Sequence, residues 1–190
     1  LKVVMNTQSI SELFQAAFSA PQVIKSKLIP DAPLNYRYDI YPLNCLEPLR
    51  DNIRARASGN LAYSIANDDF LHNYAARFIV DAGGEIRFAR EGARTPFIPA
   101  HSDIASLVLT AGNIHFSQDY SQIVKITNKS GHFLPSFGSL VFALPLILAS
   151  GFPLADSVIL VNEATKEEGV FTLDELRSLK PDGYDIEQIR

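Results

Sequence analysis

At 190 residues, 47% hydrophobic and 20% charged, the chain has the composition of an ordinary globular protein and the length to bury a core without staples. Its net charge of -4 excludes the basic excess of a general nucleic-acid binder. A single cysteine, Cys45, excludes an internal disulfide framework and a cysteine-rich zinc site. The longest apolar run, Leu140 to Ala149, is about half of a membrane span, so it reads as a buried helix and no membrane span is expected. The chain opens on Leu1 with no visible signal peptide, so the expectation is one domain, 1–190, excised from a larger protein.

In chain order, Ser9 and Glu12 have capping-box spacing, and Ile10, Leu13, Phe14, Ala17 and Phe18 predict an amphipathic helix ending at Pro21. A proline-spotted connector follows, in which Tyr36, Tyr38 and Arg37 alternate at strand period. Asn44 to Ala57 predicts a second helix, with Leu46, Leu49 and Ile53 inward and Arg50, Arg54 and Arg56 outward. Residues 68–82 predict a third, stopped by Gly83-Gly84, and Glu85 to Ala89 predicts a strand. After a loop, Ser102 is read as the cap of a short helix reaching Leu109. A hairpin of Asn113–Ser117 and Gln122–Thr127 follows. Pro135 opens a central apolar helix in which Pro145 predicts a kink or break. Ser157–Asn162 and Gly169–Thr172 predict strands, and Thr172-Leu173-Asp174-Glu175 starts a last helix ended by Pro181. Together these predict an α+β fold, a largely antiparallel sheet with a central hairpin flanked by five or six helices.

Three stretches can carry chemistry. The corner Asn128-Lys129-Ser130-Gly131-His132 precedes an apolar helix, whose N-terminal amides would favour an anion, with Lys129, Ser130 and His132 adding donors and Gly131 permitting close approach. The same letters also fit a polar turn in which Ser130 is only a cap. Arg87, Arg90, Glu91, Arg94 and His101 lie on a strand end and its loop, where arginines can clamp a phosphoanion, or simply face solvent. Tyr36 and Tyr38 offer a stacking surface for a base, or ordinary strand packing. The four histidines, His72, His101, His115 and His132, have no metal-ligand spacing, so no metal is expected. Cys45 lies near a helix start and reads as an inert thiol. No nucleophile motif or catalytic triad can be named.

The segment AGNIHFSQDYSQIVKITNKSGHFLPSF, with EGARTPFIPAH before it, resembles the KLAMP-type nucleotide-binding domain of translocated bacterial effectors related to the SidE group. The resemblance covers residues 85–150, through Gly92, Pro99, His101, Gly112, Asn113, Ser130, Gly131, His132 and Pro135. It implies a module that binds an adenine nucleotide, ADP or cyclic AMP, as its ligand, with no required cofactor. It also implies a virulence protein secreted by a bacterium and acting in the host cytoplasm. In that reading phosphate sits at Lys129–His132 with Arg87 and Arg90, and the base stacks on Tyr36 or Tyr38. Two alternatives stand beside it. One is a phosphoester transferase or hydrolase using His132 or His101, with Glu91 as partner. The other is an interaction domain for a host protein.

Overall fold

The computed structural model describes residues 4–27, 39–59, 74–92 and 98–182. Its frame is an eight-stranded sheet of β1 (Ile24–Lys25), β2 (Tyr41–Pro42), β3 (Ala75–Asp81), β4 (Ile86–Arg90), β5 (Leu107–Phe116), β6 (Ile123–Thr127), β7 (Leu154–Asn162) and β8 (Glu167–Thr172). The strands run β2-β4-β3-β5-β6-β7-β8, with β1 on β5. Every pair is antiparallel except β6 with β7, whose connection carries the apolar helical segments across one face. The described residues include five α-helices: α1 (Thr7–Ala17), α2 (Leu46–Gly59), α3 (His101–Ile104), α4 (Leu144–Ala149) and α5 (Leu173–Ser178). The fold is therefore α+β with a mixed, mostly antiparallel sheet.

The strand alternation divides the sheet into two unlike faces. Phe78, Phe88, Ile114 and Ile126, from four neighbouring strands, are fully buried in one large cluster with Leu13, Leu49, Leu140, Leu144 and Leu176 from the helical segments. Each such side chain contributes about 1.5–3 kcal/mol by leaving water. On the opposite face Ile79, Ala89, Val108 and Ala111 form a smaller cluster with Ile104 and Phe133.

Several predicted elements are corrected. The helix expected over 68–82 is not one in its described part: Ala75–Asp81 is the strand between β4 and β5, with Ala75 to Val80 all buried. A continuous apolar run suits a doubly covered strand as well as a helix, so its periodicity does not decide. Gly83 and Gly84 turn the β3–β4 hairpin instead, where the Asp81 carboxylate accepts from Gly83 N–H and Glu85 N–H and Gly84 takes φ +86°. The helix expected from Ser102 to Leu109 ends at Ile104, because the chain enters β5 at Leu107.

The apolar helix begins two residues after Pro135 and breaks: a 3-10 segment (Phe137–Phe142) gives way at Ala143 to α4, with Pro145 in its first turn. The expected break at this proline is what the chain shows. Helix α1 is capped by Asn6, whose Oδ1 accepts from Ser9 N–H, rather than by Ser9. The Ser9 hydroxyl instead donates to buried Glu167 at 2.5 Å, and the Glu12 carboxylate accepts from Gly138 N–H at 3.1 Å. Asn44 lies in a 3-10 turn (Leu43–Cys45) ahead of α2, and Cys45 is part of that turn. Leu46, Leu49 and Ile53 are buried as predicted. Arg50, expected outside, donates to Tyr120 O and lies over the Phe152 ring. Thr172 caps α5 with the predicted capping box.

Candidate functional site

The corner that joins β6 to the helical connection is a turn, not a helix start. Leu134 N–H donates to Ser130 O, Phe133 N–H to Ser130 Oγ at 3.4 Å, and Leu134 adopts φ +47°. The Asn128 amide ties its base by donating to Pro135 O and accepting from Glu163 N–H. The 3-10 segment starts two residues later under a Ser136 cap, and its first amides are already taken. Gly138 N–H goes to Glu12 and Ser139 N–H to Ser136 Oγ. The amides at the start of the helical segment are thus taken, and Ser130 serves the turn. Gly131 has neither a positive φ nor a neighbour within 4 Å of a built Cβ, so close approach does not require it.

The arginine clamp also comes apart. Arg87 and Arg90 are three residues apart on β4, so they project from opposite faces. Arg87 pairs with Asp81 at 3.3 Å and Glu85 at 3.0 Å. Arg90, on the Phe88 face, has its Nε buried without a partner; burial lowers its pKa, and nearby Arg56 lowers it further. Neither guanidinium joins Ser130 and His132 around one described cavity. Tyr36, Tyr38 and Arg94 lie outside the described residues.

What the second face does gather is a polar cluster that only partly overlaps the predicted one. Arg77 projects from β3 beside Phe78 but to the other side, and is 8% exposed. Its Nε and Nη2 donate to Glu91 Oε1 at 3.1 and 2.7 Å, its Nη1 to Pro99 O, and Nη2 also to Gly92 O. Glu91 Oε2 accepts from Asn113 Nδ2 at 2.5 Å, and Oε1 from Gly92 N–H. Burial alone would raise the Glu91 pKa, but the hydrogen bonds and charge of Arg77 prevail and hold it at about 2. The ion pair is therefore intact throughout the neutral range. Asn113 Oδ1 is buried without a partner.

His101 is the next member. It is 7% exposed, and its Nε2–H donates to Gly112 O at 2.9 Å. Burial, the largest influence, depresses its pKa to about 4, against the opposing bond to Gly112 and the charge of Glu91. At neutral pH it is an uncharged structural donor, which removes it as a general acid. The carbonyl it holds belongs to a residue that must be glycine: a Cβ on Gly112 would meet Thr127 O at 1.8 Å. Beside it, Ser102 Oγ lies 2.5 Å from His132 Nδ1. Sequence reading brings Glu91, His101 and His132 forward as candidates and Asn113 through the resemblance alone, whereas Ser102 is read only as a cap and Arg77 is not singled out. A lone arginine inside the apolar run Ala75–Val80 was the available signal, because a buried guanidinium requires an anionic partner.

A cavity of about 460 Å³ opens on this face, lined by Glu91 and Asn113, by Lys125 and Thr127 of β6, and by Lys129 just beyond that strand. Lys125 pairs in register with His115, and Thr127 with Asn113. Lys125 and Lys129 carry no ion pair among the described residues, whereas Lys166, on the far wall, pairs with Glu163. Lys129 and Glu163 also border a second cavity of about 320 Å³ at the corner, with Ser130, Gly131, Leu134 and Pro135. Among the described residues no group of three His, Cys, Asp or Glu is placed to hold a metal ion. No helix among them is long and apolar enough to cross a membrane. No family model matches the chain, and neither a curated protein nor a solved structure is found similar to it.

Proposed function

We propose that the chain is a binding module for a small anionic ligand of the nucleotide class, seated on the open second face of the sheet. The observation that carries this reading is a pair of lysines without an ion pair among the described residues, Lys125 on β6 and Lys129 just beyond its end, both lining one cavity of about 460 Å³. Two ammonium groups separated by Thr127 suit phosphate oxygens, and the volume lies within the range of small-molecule sites. The His115 ring, in register with Lys125, lines the same cavity. The site thus moves from the corner amides to the strand beside them, with Lys129 common to both.

The KLAMP resemblance supports the adenine nucleotides as first ligands to test. It also supports a place in a protein that a bacterium delivers into host cells. Isothermal titration with ADP, AMP and cyclic AMP tests the proposal. Binding is expected with at least one of them, weakened about tenfold or more by Lys125→Ala with Lys129→Ala. The absence of heat and of thermal shift at millimolar nucleotide would sink it.

A further inference from the structure

We propose that Ser102 and His132 form a nucleophile–base pair that cleaves or transfers a phosphoester, with Ser102 Oγ as the attacking atom. The two groups stand 2.5 Å apart and reach each other from separate elements, each fixed on its own side. Ser102 lies in the first turn of α3, which is clamped by Asp103 on Ala100 N–H at 2.8 Å and by His101 on Gly112 O at 2.9 Å. His132 lies in the corner turn, next to Phe133, which is 1% exposed in the smaller cluster, and His132 O accepts from Lys27 N–H at 2.9 Å. Ser102 is 7% exposed as a residue, and His132 is half-buried.

With the hydroxyl donating, Nδ1 is the acceptor and is set to take the proton as Oγ bonds to phosphorus. The P–O bond to the leaving group breaks, and the proton passes from Nδ1 to the departing oxygen. Water then attacks the phosphoserine, giving its proton to Nδ1, and Ser102 Oγ recovers that proton as it leaves. The pair stands on its own geometry; the choice of a phosphoester rests on the nucleotide reading above.

The test treats the whole chain with a fluorophosphonate, in which Oγ–P forms, P–F breaks and the proton goes to His132. One adduct, mapped by mass spectrometry to Ser102 and missing in Ser102→Ala, is expected. His132→Gln keeps a hydrogen-bonding side chain but cannot take the proton, so labelling should fall about a hundredfold while the thermal melt is retained. Labelling of the wild-type chain should also rise with pH, as general-base activation of a hydroxyl requires, a readout that survives if the glutamine variant misfolds. No Ser102 adduct, equal labelling of a folded His132→Gln, or a flat pH profile would overturn the pair. Labelled Ser102 without nitrophenolate release from bis(p-nitrophenyl) phosphate would overturn the phosphoester assignment. ADP titration of Ser102→Ala separates these outcomes from a failure of nucleotide binding, which depends on the lysine wall.

Discussion

Arg77 and Phe78 are neighbours on one strand and inhabit different proteins, in effect. Phe78 faces the sealed side, among the leucines of the helical segments, and is fully buried. Arg77 faces the other side, where it is buried nearly as deeply but its guanidinium is held by an ion pair and hydrogen bonds. The first side is held by area removed from water, which tolerates exchange of one apolar shape for another. The second is held by compensation between groups, and each partner is costly only when the other is missing.

The comparison is broken most severely by cutting each side at its centre. Phe78→Ala should lose about 3–5 kcal/mol to the cavity it leaves. Arg77→Met should lose a similar ~3–5 kcal/mol, because Glu91 is left as an unpaired buried charge. Urea denaturation then distinguishes them. Adding Glu91→Met to Arg77→Met should restore most of the loss, while no substitution at Glu91 should help Phe78→Ala. If the double variant is as unstable as Arg77→Met, the cluster is not held by paired charges.

Acid should attack the second face first. The His101 value of about 4 lies below its ordinary 6.5, so the unfolded chain takes up the proton more readily than the folded one. Its contribution is present above about pH 6.5 and is lost as pH falls toward 4. Glu91, at about 2 against 4.5, continues the loss from about pH 4.5 downward. His101 accounts for about 3 kcal/mol of this at full protonation. His101→Gln, which retains an N–H for Gly112 O, should flatten the upper part of the profile and leave the lower part. An unchanged slope between pH 6.5 and 4 would remove His101 from the account.

A smaller effect calibrates the sealed face. Thr172→Ala removes the α5 cap, in which Thr172 Oγ1 accepts from Glu175 N–H at 3.2 Å, and should cost about 1 kcal/mol by thermal melt. This cap was legible in the sequence because every group in it is local. The capping letters of α1 were equally plain and misleading, since Ser9 and Glu12 are drawn off to Glu167 and Gly138, far along the chain. The same Glu12 contact hid the occupied start of the helical segment, since the amide it takes, Gly138 N–H, lies 126 residues away. Strand β3 was hidden for another reason. A strand covered on both faces has no alternation, so Ala75–Val80 carries no period to read. Histidines and Glu91 could be nominated from residue type alone, but Arg77 and Ser102 acquire meaning only when the hairpin and the corner bring their partners to them.

The least disturbance to the fold should accompany the largest change in binding. Lys125 and Lys129 are without ion pairs among the described residues, and Lys129 is exposed, so removing their charges takes away no contact that holds the sheet. Lys125→Ala with Lys129→Ala should therefore stay within about 0.5 kcal/mol of the parent in urea, or gain slightly as like charges are relieved. The same double variant is the one expected to lose nucleotide. Lysines that hold no ion pair among the described residues, on the side of the sheet already furnished with hydrogen-bonding groups, ought to be dispensable for folding and indispensable for ligand. Should the double variant instead unfold the chain while ADP still bound to the remainder, the lysines belong to the scaffold. The division of labour between the two faces would then lie elsewhere.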